Sequence, residues 1–405
     1  MDRQHYTNSD DEEANASTRT ATIEILDESH QKAVRLAISN ILNTEIAEST
    51  YAQIIDGLPL IDVFRDAYGD LLCDDHPIFA HTGLSAGILE TTRRFRTGFD
   101  PGTLQFDSTL LDDFSRASPG SRAFKTRLIE IMARSLHQVA VILYNNNPDL
   151  SISTSSSVKD VHTWEPPKDA DDLDGRWEVW WQFNPHGPPP TLFRHLWYID
   201  VENYPEGAAD MAGYWAESRI LGGVVLFDRA AQARGESDAV YLHPDRDQVT
   251  YRICLLTDLQ KKAMMDFFQT KEASNEFACP LPVLPDETNT QRVDPEEPIR
   301  VTGVYRDAWE RVTPPPEWMG DGRAHCMWNP LDFPTKNDHQ EALSRWRTRT
   351  ERCLINDTFP FAIPFSMNSE MVGDNIEQLQ KIGMMETPTC ILGNTENLPL
   401  SLRSQ

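Results

Sequence analysis

From Arg176 to Leu256 aromatic and β-branched residues recur in alternation, and apolar side chains spaced by two commit a segment to a pleated layer with at least one buried face. The runs are Arg176 to Phe183 (RWEVWWQF), Leu192 to Val201 (LFRHLWYIDV), Tyr214 to Asp228 (YWAESRILGGVVLFD), Ala239 to His243 and Gln248 to Leu256. Turn-forming residues divide them, so they read as strands of one twisted sheet. Trp177, Val179, Trp181 and Phe183 share a face of the first run; Phe193, His195, Trp197, Ile199 and Val201 share one of the next. Ile220 to Phe227 is almost continuously apolar, as a central strand covered on both faces would be, and Gly222 and Gly223 mark a bulge or a close approach. Pro244 to Asp247 is a proline-initiated turn that makes a hairpin of its flanks. Thr257 and Gln260 form a capping box that opens a helix through Met264, Met265 and Phe268.

Upstream the period is helical. Val34, Ala37, Ile38, Ile41 and Leu42 make one stripe, Tyr51, Ile54, Ile55 and Leu58 a second, and Leu60 to Leu71 a third after Gly57 and Pro59. The strongest helix runs from Ser121 to Tyr144, with Arg122, Lys125, Arg127 and Arg134 on its solvated face. The expected organisation is a disordered acidic tail over 1–26, a helical region over 27–150 and a linker over 151–175. There follow a sheet core with its helix over 176–270, a Pro-rich surface loop over 271–298, and an added strand near Val301, a helix from Asp338 to Leu354 and irregular chain over 299–405. A short helix is expected near Ile376 to Ile382. The fold class is α+β: an N-terminal helical layer plus a mostly antiparallel β-sheet covered by helices.

Charge and composition narrow the function. A net charge of −26 repels phosphate backbones, so no nucleic-acid partner is expected. No apolar run reaches the ~18 to 20 residues of a membrane span, and no membrane role is expected. The N-terminus is acidic and lacks an apolar segment, which points to a cytoplasmic address. The six cysteines are widely scattered, so reduced thiols are expected rather than a disulfide framework.

Gly83-Leu84-Ser85-Ala86-Gly87 matches the GxSxG nucleophile elbow, which would make Ser85 the nucleophile of a serine hydrolase. That motif needs a buried parallel strand before it, and Pro77 shortens the preceding run. Cys73, Asp74, Asp75, His76 and His81 offer metal-ligand types, but the spacing of the two histidines fits no standard helical pair, and an exposed helix end is expected instead of a metal site. Arg345, Arg349 and Arg352 share a helix face that suits an anion or neighbouring carboxylates. No P-loop or GxGxxG is present, and no cofactor is expected. Trp180, His195, Trp197 and Tyr214 combine aromatic surface with a few polar groups; they line either a ligand site or the core.

The segment from Tyr214 to Ile220 (YWAESRI), followed by Gly222 to Arg229 (GGVVLFDR), resembles a family of uncharacterised proteins of filamentous ascomycete fungi. WWQFNPHGPPP, RHLWY and HPDRDQVTYRI are similar too, so the likeness covers about 80 to 100 residues well, whereas the N-terminal third has no counterpart. The resemblance implies a cytosolic fungal protein and no assigned activity. The resulting expectation is an accessory or binding protein linked to secondary metabolism, with a site for a small molecule or a protein partner. The alternative is a serine hydrolase using Ser85.

Overall fold

The computed structural model describes residues 19–68, 75–147, 156–168, 187–233, 238–246, 249–271 and 279–311 except 296 and 298, with single positions between 177 and 184 and between 332 and 344. Strand β1 (Thr20–Ala21) leads into helices α1 (Glu28–Leu42), α2 (Glu45–Asp56) and α3 (Ile61–Tyr68). Their starts are local: Asp27 Oδ1 accepts the N–H groups of Ser29 and His30, and the Thr44 hydroxyl accepts that of Ala47. Helix α4 (Ile88–Gly98), β2 (Phe106–Asp107), α5 (Ser108–Arg116), α6 (Arg122–Asn145) and α7 (Ser156–His162) follow, with β2 antiparallel to β1. The stripe from Val34 to Leu42 faces the core, as its period predicts.

Helix α8 (Ala208–Leu221) precedes β3 (Val224–Asp228), α9 (Arg229–Ala233), β4 (Val240–His243), β5 (Ile253–Leu255), α10 (Asp258–Phe268), β6 (Arg292–Val293), α11 (Ile299–Thr302) and β7 (Val304–Tyr305). The main sheet has the order β6-β5-β4-β3-β7 and is antiparallel at every described pairing. Helices beside an antiparallel sheet make the molecule α+β. Strand β3 alternates between two apolar clusters, which explains its almost unbroken apolar sequence. Val225 and Phe227 join the large core formed with α1, α2, α5, α6, α8 and α10, while Val224 and Leu226 join Tyr198, Tyr204, Met211 and Tyr214 on the other face.

Several elements differ from the sequence expectation. Tyr214 to Leu221 is the second half of α8, not strand. Every residue of α8 from Ala209 to Leu221 is buried, so this helix has no polar stripe to reveal its period. Trp177, Trp180 and Trp181 are helical. Trp177 and Trp181 lie four apart, a spacing that shares one face in a strand and in a helix alike; their ring centroids are 5.7 Å apart. Leu192 to Asp200 is irregular, with a lone bridge between His195 and Tyr198, and Val201 opens a 3-10 turn, Val201–Asn203. Among the described residues of the Gln248 run only Ile253–Leu255 pairs as strand, and it does form the expected antiparallel partner of β4.

Ile299–Thr302 is helical and the added strand is Val304–Tyr305. The Pro-rich loop contributes edge strand β6, the linker contains α7, and Ile23 of the expected tail is fully buried. Arg127 and Arg134 are only partly solvated: Glu130, 2% exposed, draws both inward. Residues 1–18, Cys73, Asp74, the Arg345 to Arg352 face and the segment from Ile376 to Ile382 lie outside the described residues. The capping box is present, with Thr257 and Gln260 exchanging hydrogen bonds.

The Gly222-Gly223 pair marks a close approach. Gly222 ends α8 with φ of 104°, and a Cβ there would lie 2.1 Å from the Val283 carbonyl oxygen. The tight turn lays β3 directly against the end of α8. Among the described residues no helix is long and apolar enough to cross a membrane.

Candidate functional site

Asp210, Tyr214 and Glu217 occur at i, i+4 and i+7 of α8 and project together toward α6 and the chain after β7. Asp210 Oδ1 lies 2.8 Å from His137 Nε2, and its Oδ2 accepts the Glu206 N–H. Glu217 Oε1 accepts the N–H of Val225, and its Oε2 accepts from Arg306 at 2.6 Å. Arg306 also reaches Asp307, which Arg134 holds from α6 at 2.9 Å. Most of these polar atoms pair with one another, His137 Nδ1 and Arg134 Nε excepted. They fix the floor of a buried cluster between helix and sheet.

The cluster's walls are aromatic. Tyr198 stacks on Tyr214 with centroids 4.5 Å apart, and Tyr204 meets the same ring at 5.6 Å. The Tyr198 hydroxyl lies 3.2 Å from His243 Nδ1, and the Tyr204 hydroxyl donates to the Glu310 carbonyl. Burial pushes the phenols of Tyr198 and Tyr214 well above their ordinary range, and it drives His243 well below its own, so these groups are neutral.

Several buried polar atoms in this neighbourhood have no hydrogen-bond partner among the described residues. They include the Tyr214 hydroxyl, Glu310 Oε1, both Nη1 and Nη2 of Arg311, His243 Nε2 and His137 Nδ1. Tyr214 and Glu310 are fully buried and Arg311 is 3% exposed. Glu310 Oε2 accepts the N–H groups of Arg306 and Asp307, each at 3.0 Å. Burial first and the charge of Asp307 second push the Glu310 carboxyl up to about 7. The Arg311 charge acts on His195, Tyr198, His243 and Glu310.

The structure brings Tyr214, His195 and Trp197 of the sequence candidates to this region. His195 Nε2 donates to the His243 carbonyl at 3.0 Å and its Nδ1 accepts the Trp197 N–H at 3.2 Å. Burial depresses its pKa to about 3, and neither nitrogen is left for a ligand. His195 braces the loop. Trp197 is half-buried, its ring 5.9 Å from that of His243. Trp180 packs at 5.3 Å on Trp181, and no described contact joins it to the cluster.

Ser85 is exposed and follows a 3-10 turn at Pro77–Ala80 and a loop, where the elbow needs a strand. Asp56 Oδ2 accepts the backbone N–H of Ser85, while His81 commits Nδ1 to the Pro59 carbonyl and Nε2 to Asp56. His76 accepts the N–H of Ile78 and packs at a tilt against Trp164, and burial lowers its pKa to about 4. Among the described residues no three metal-ligating side chains gather to hold an ion. Arg219 joins Arg246 on Asp66 as an ion-paired rim.

Tyr198, Tyr204, Glu310 and Arg311 were missed by sequence reasoning. Glu217 carried a usable signal, because a carboxylate inside an otherwise apolar run must find a buried cation. No family model matches this chain, and no curated protein and no solved structure matches it.

Proposed function

We propose that this protein is an accessory protein that binds a small polar molecule in the cluster formed by Tyr198, Tyr214, Glu310 and Arg311. The observation that carries the reading is the Arg311 guanidinium, buried with both terminal nitrogens unpartnered among the described residues. An uncompensated buried charge costs several kcal/mol, and folded proteins retain such a cost chiefly where function requires it. The neighbouring Tyr214 hydroxyl and Glu310 Oε1 supply a further donor and acceptor, and the stacked tyrosines supply flat apolar surface. Trp197 stands at the edge of this group. The likeness to filamentous-ascomycete proteins favours a fungal metabolite as the natural ligand.

A thermal-shift screen of small polar molecules tests the reading. A ligand at 100 times its Kd stabilises the fold by about 2.7 kcal/mol, and Arg311→Met is expected to remove that gain. A hit that stabilises the variant as strongly as the wild type lies elsewhere and counts against this site.

A further inference from the structure

The donor pattern left open in the cluster carries the chemical class of its occupant, a step that rests on the cluster being a ligand site. A guanidinium presents Nη1 and Nη2 in one plane, a fork that matches the two oxygens of a carboxylate. Arg311 leaves both prongs open. The nearby anions are committed elsewhere: Asp307 to Arg134 and Arg306, Glu217 to Arg306 and the Val225 N–H, and Asp210 to His137 and the Glu206 N–H. Glu310 is adjacent in sequence, yet its Oε2 takes two backbone N–H groups and its Oε1 bonds nothing. One buried cation is therefore left without a hydrogen-bonded anion among the described residues.

We propose that Arg311 anchors the carboxylate of a small organic acid, with the Tyr214 hydroxyl and Glu310 Oε1 completing its contacts. Glu310, pushed up to about 7, holds its proton below that pH and so offers a donor to the acid instead of a second negative charge. The stacked faces of Tyr198 and Tyr214 give an apolar or aromatic body a surface to lie against.

The probes are acetate and benzoate, set against acetamide and benzamide as neutral counterparts of the same shape. Melting temperatures are compared in wild type, Arg311→Met and Arg311→Lys, at matched ionic strength and below the pH at which Glu310 ionises. Both acids are expected to raise the wild-type Tm and the amides to leave it unmoved. Arg311→Met loses the response, and Arg311→Lys, which keeps the charge without the fork, retains only part of it. Amides that act as well as acids, or an Arg311→Met variant that keeps the acid response, would overturn the carboxylate anchor and leave the binding reading standing. If acids and amides alike leave the wild type unmoved, the binding reading falls with it. Should Arg311→Met not fold, Arg311→Lys and the acid-against-amide comparison in wild type decide the same question.

Discussion

Glu217 and Arg306 stand 89 residues apart in the chain and meet at 2.6 Å with both side chains excluded from water. The pair ties α8 to the segment after β7, and the second Glu217 oxygen is filled by the Val225 N–H. Removing one partner strands the other charge in the interior. Glu217→Gln or Arg306→Met alone is expected to destabilise by about 3 to 5 kcal/mol, and Glu217→Leu combined with Arg306→Met by much less than the sum. Denaturant unfolding of the double-mutant cycle measures this, and strict additivity would show that the pair is not coupled.

At Gly213, α8 lies directly against His137 of α6. A Cβ placed there would sit 2.6 Å from ring atoms of His137, and that ring is held at its Nε2 by Asp210. Alanine normally stabilises a helix relative to glycine by up to about 1 kcal/mol. Here the sign reverses, and Gly213→Ala is expected to cost about 1 to 3 kcal/mol through overpacking. Gly98, at the end of α4 with nothing near its would-be Cβ, is the control, and its alanine variant should be neutral or slightly more stable. Thermal melts of the two variants should move in opposite directions.

Tyr214 separates stability from binding. Its hydroxyl is buried without a partner while its ring packs on Tyr198, Tyr204 and His137. Tyr214→Phe keeps the ring and deletes the orphaned group, so the unliganded protein should be equal to wild type or more stable by about 1 kcal/mol. Affinity for benzoate should fall in the same variant. A clear loss of stability would mean that the hydroxyl is hydrogen-bonded after all.

Ser85 is expected to be chemically ordinary. No strand leads into it, and the ring of His81 has no nitrogen free to take its proton. A fluorophosphonate probe should label wild type and Ser85→Ala equally weakly. Strong labelling that the substitution abolishes would reinstate the hydrolase alternative.

The legible parts of this fold are those whose surroundings are asymmetric. Helices α1 and α2 face water on one side, so their stripes show in the sequence, and the α10 capping box is a local exchange between Thr257 and Gln260. Helix α8 is enclosed on every side, and a segment without a polar face has no period to read. The candidate site was half legible for a related reason. Tyr214, His195 and Trp197 stand out as polar or aromatic groups in apolar runs, whereas Glu310 and Arg311 lie in a polar stretch that resembles a surface turn. The Tyr204 hydroxyl reaches the Glu310 carbonyl across 106 residues, and a contact that distant in the chain leaves no local trace.

Glu310 gives the protein a pH dependence whose sign is fixed. Its carboxyl is raised from 4.5 to about 7, by burial first and then by Asp307, against the opposing charges of Arg306 and Arg311. The folded chain therefore holds this proton more tightly than the unfolded chain. The stability it contributes is full below about pH 4.5, declines as pH rises toward 7 and is gone above, a span of about 3 kcal/mol. His195 and His76 run the other way, because burial lowers them from 6.5 to about 3 and about 4, and their stabilisation is lost as the solution is acidified below 6.5. Opposed trends blur the wild-type profile, so the measurable quantity is a difference. Glu310→Gln keeps an acceptor for the Arg306 and Asp307 N–H groups and cannot ionise. Its stability relative to wild type should rise steadily between about pH 4.5 and 7 and level off above, as read by urea unfolding at a series of pH values. A flat difference curve would place the Glu310 carboxyl at its ordinary value and remove the neutral donor from the site.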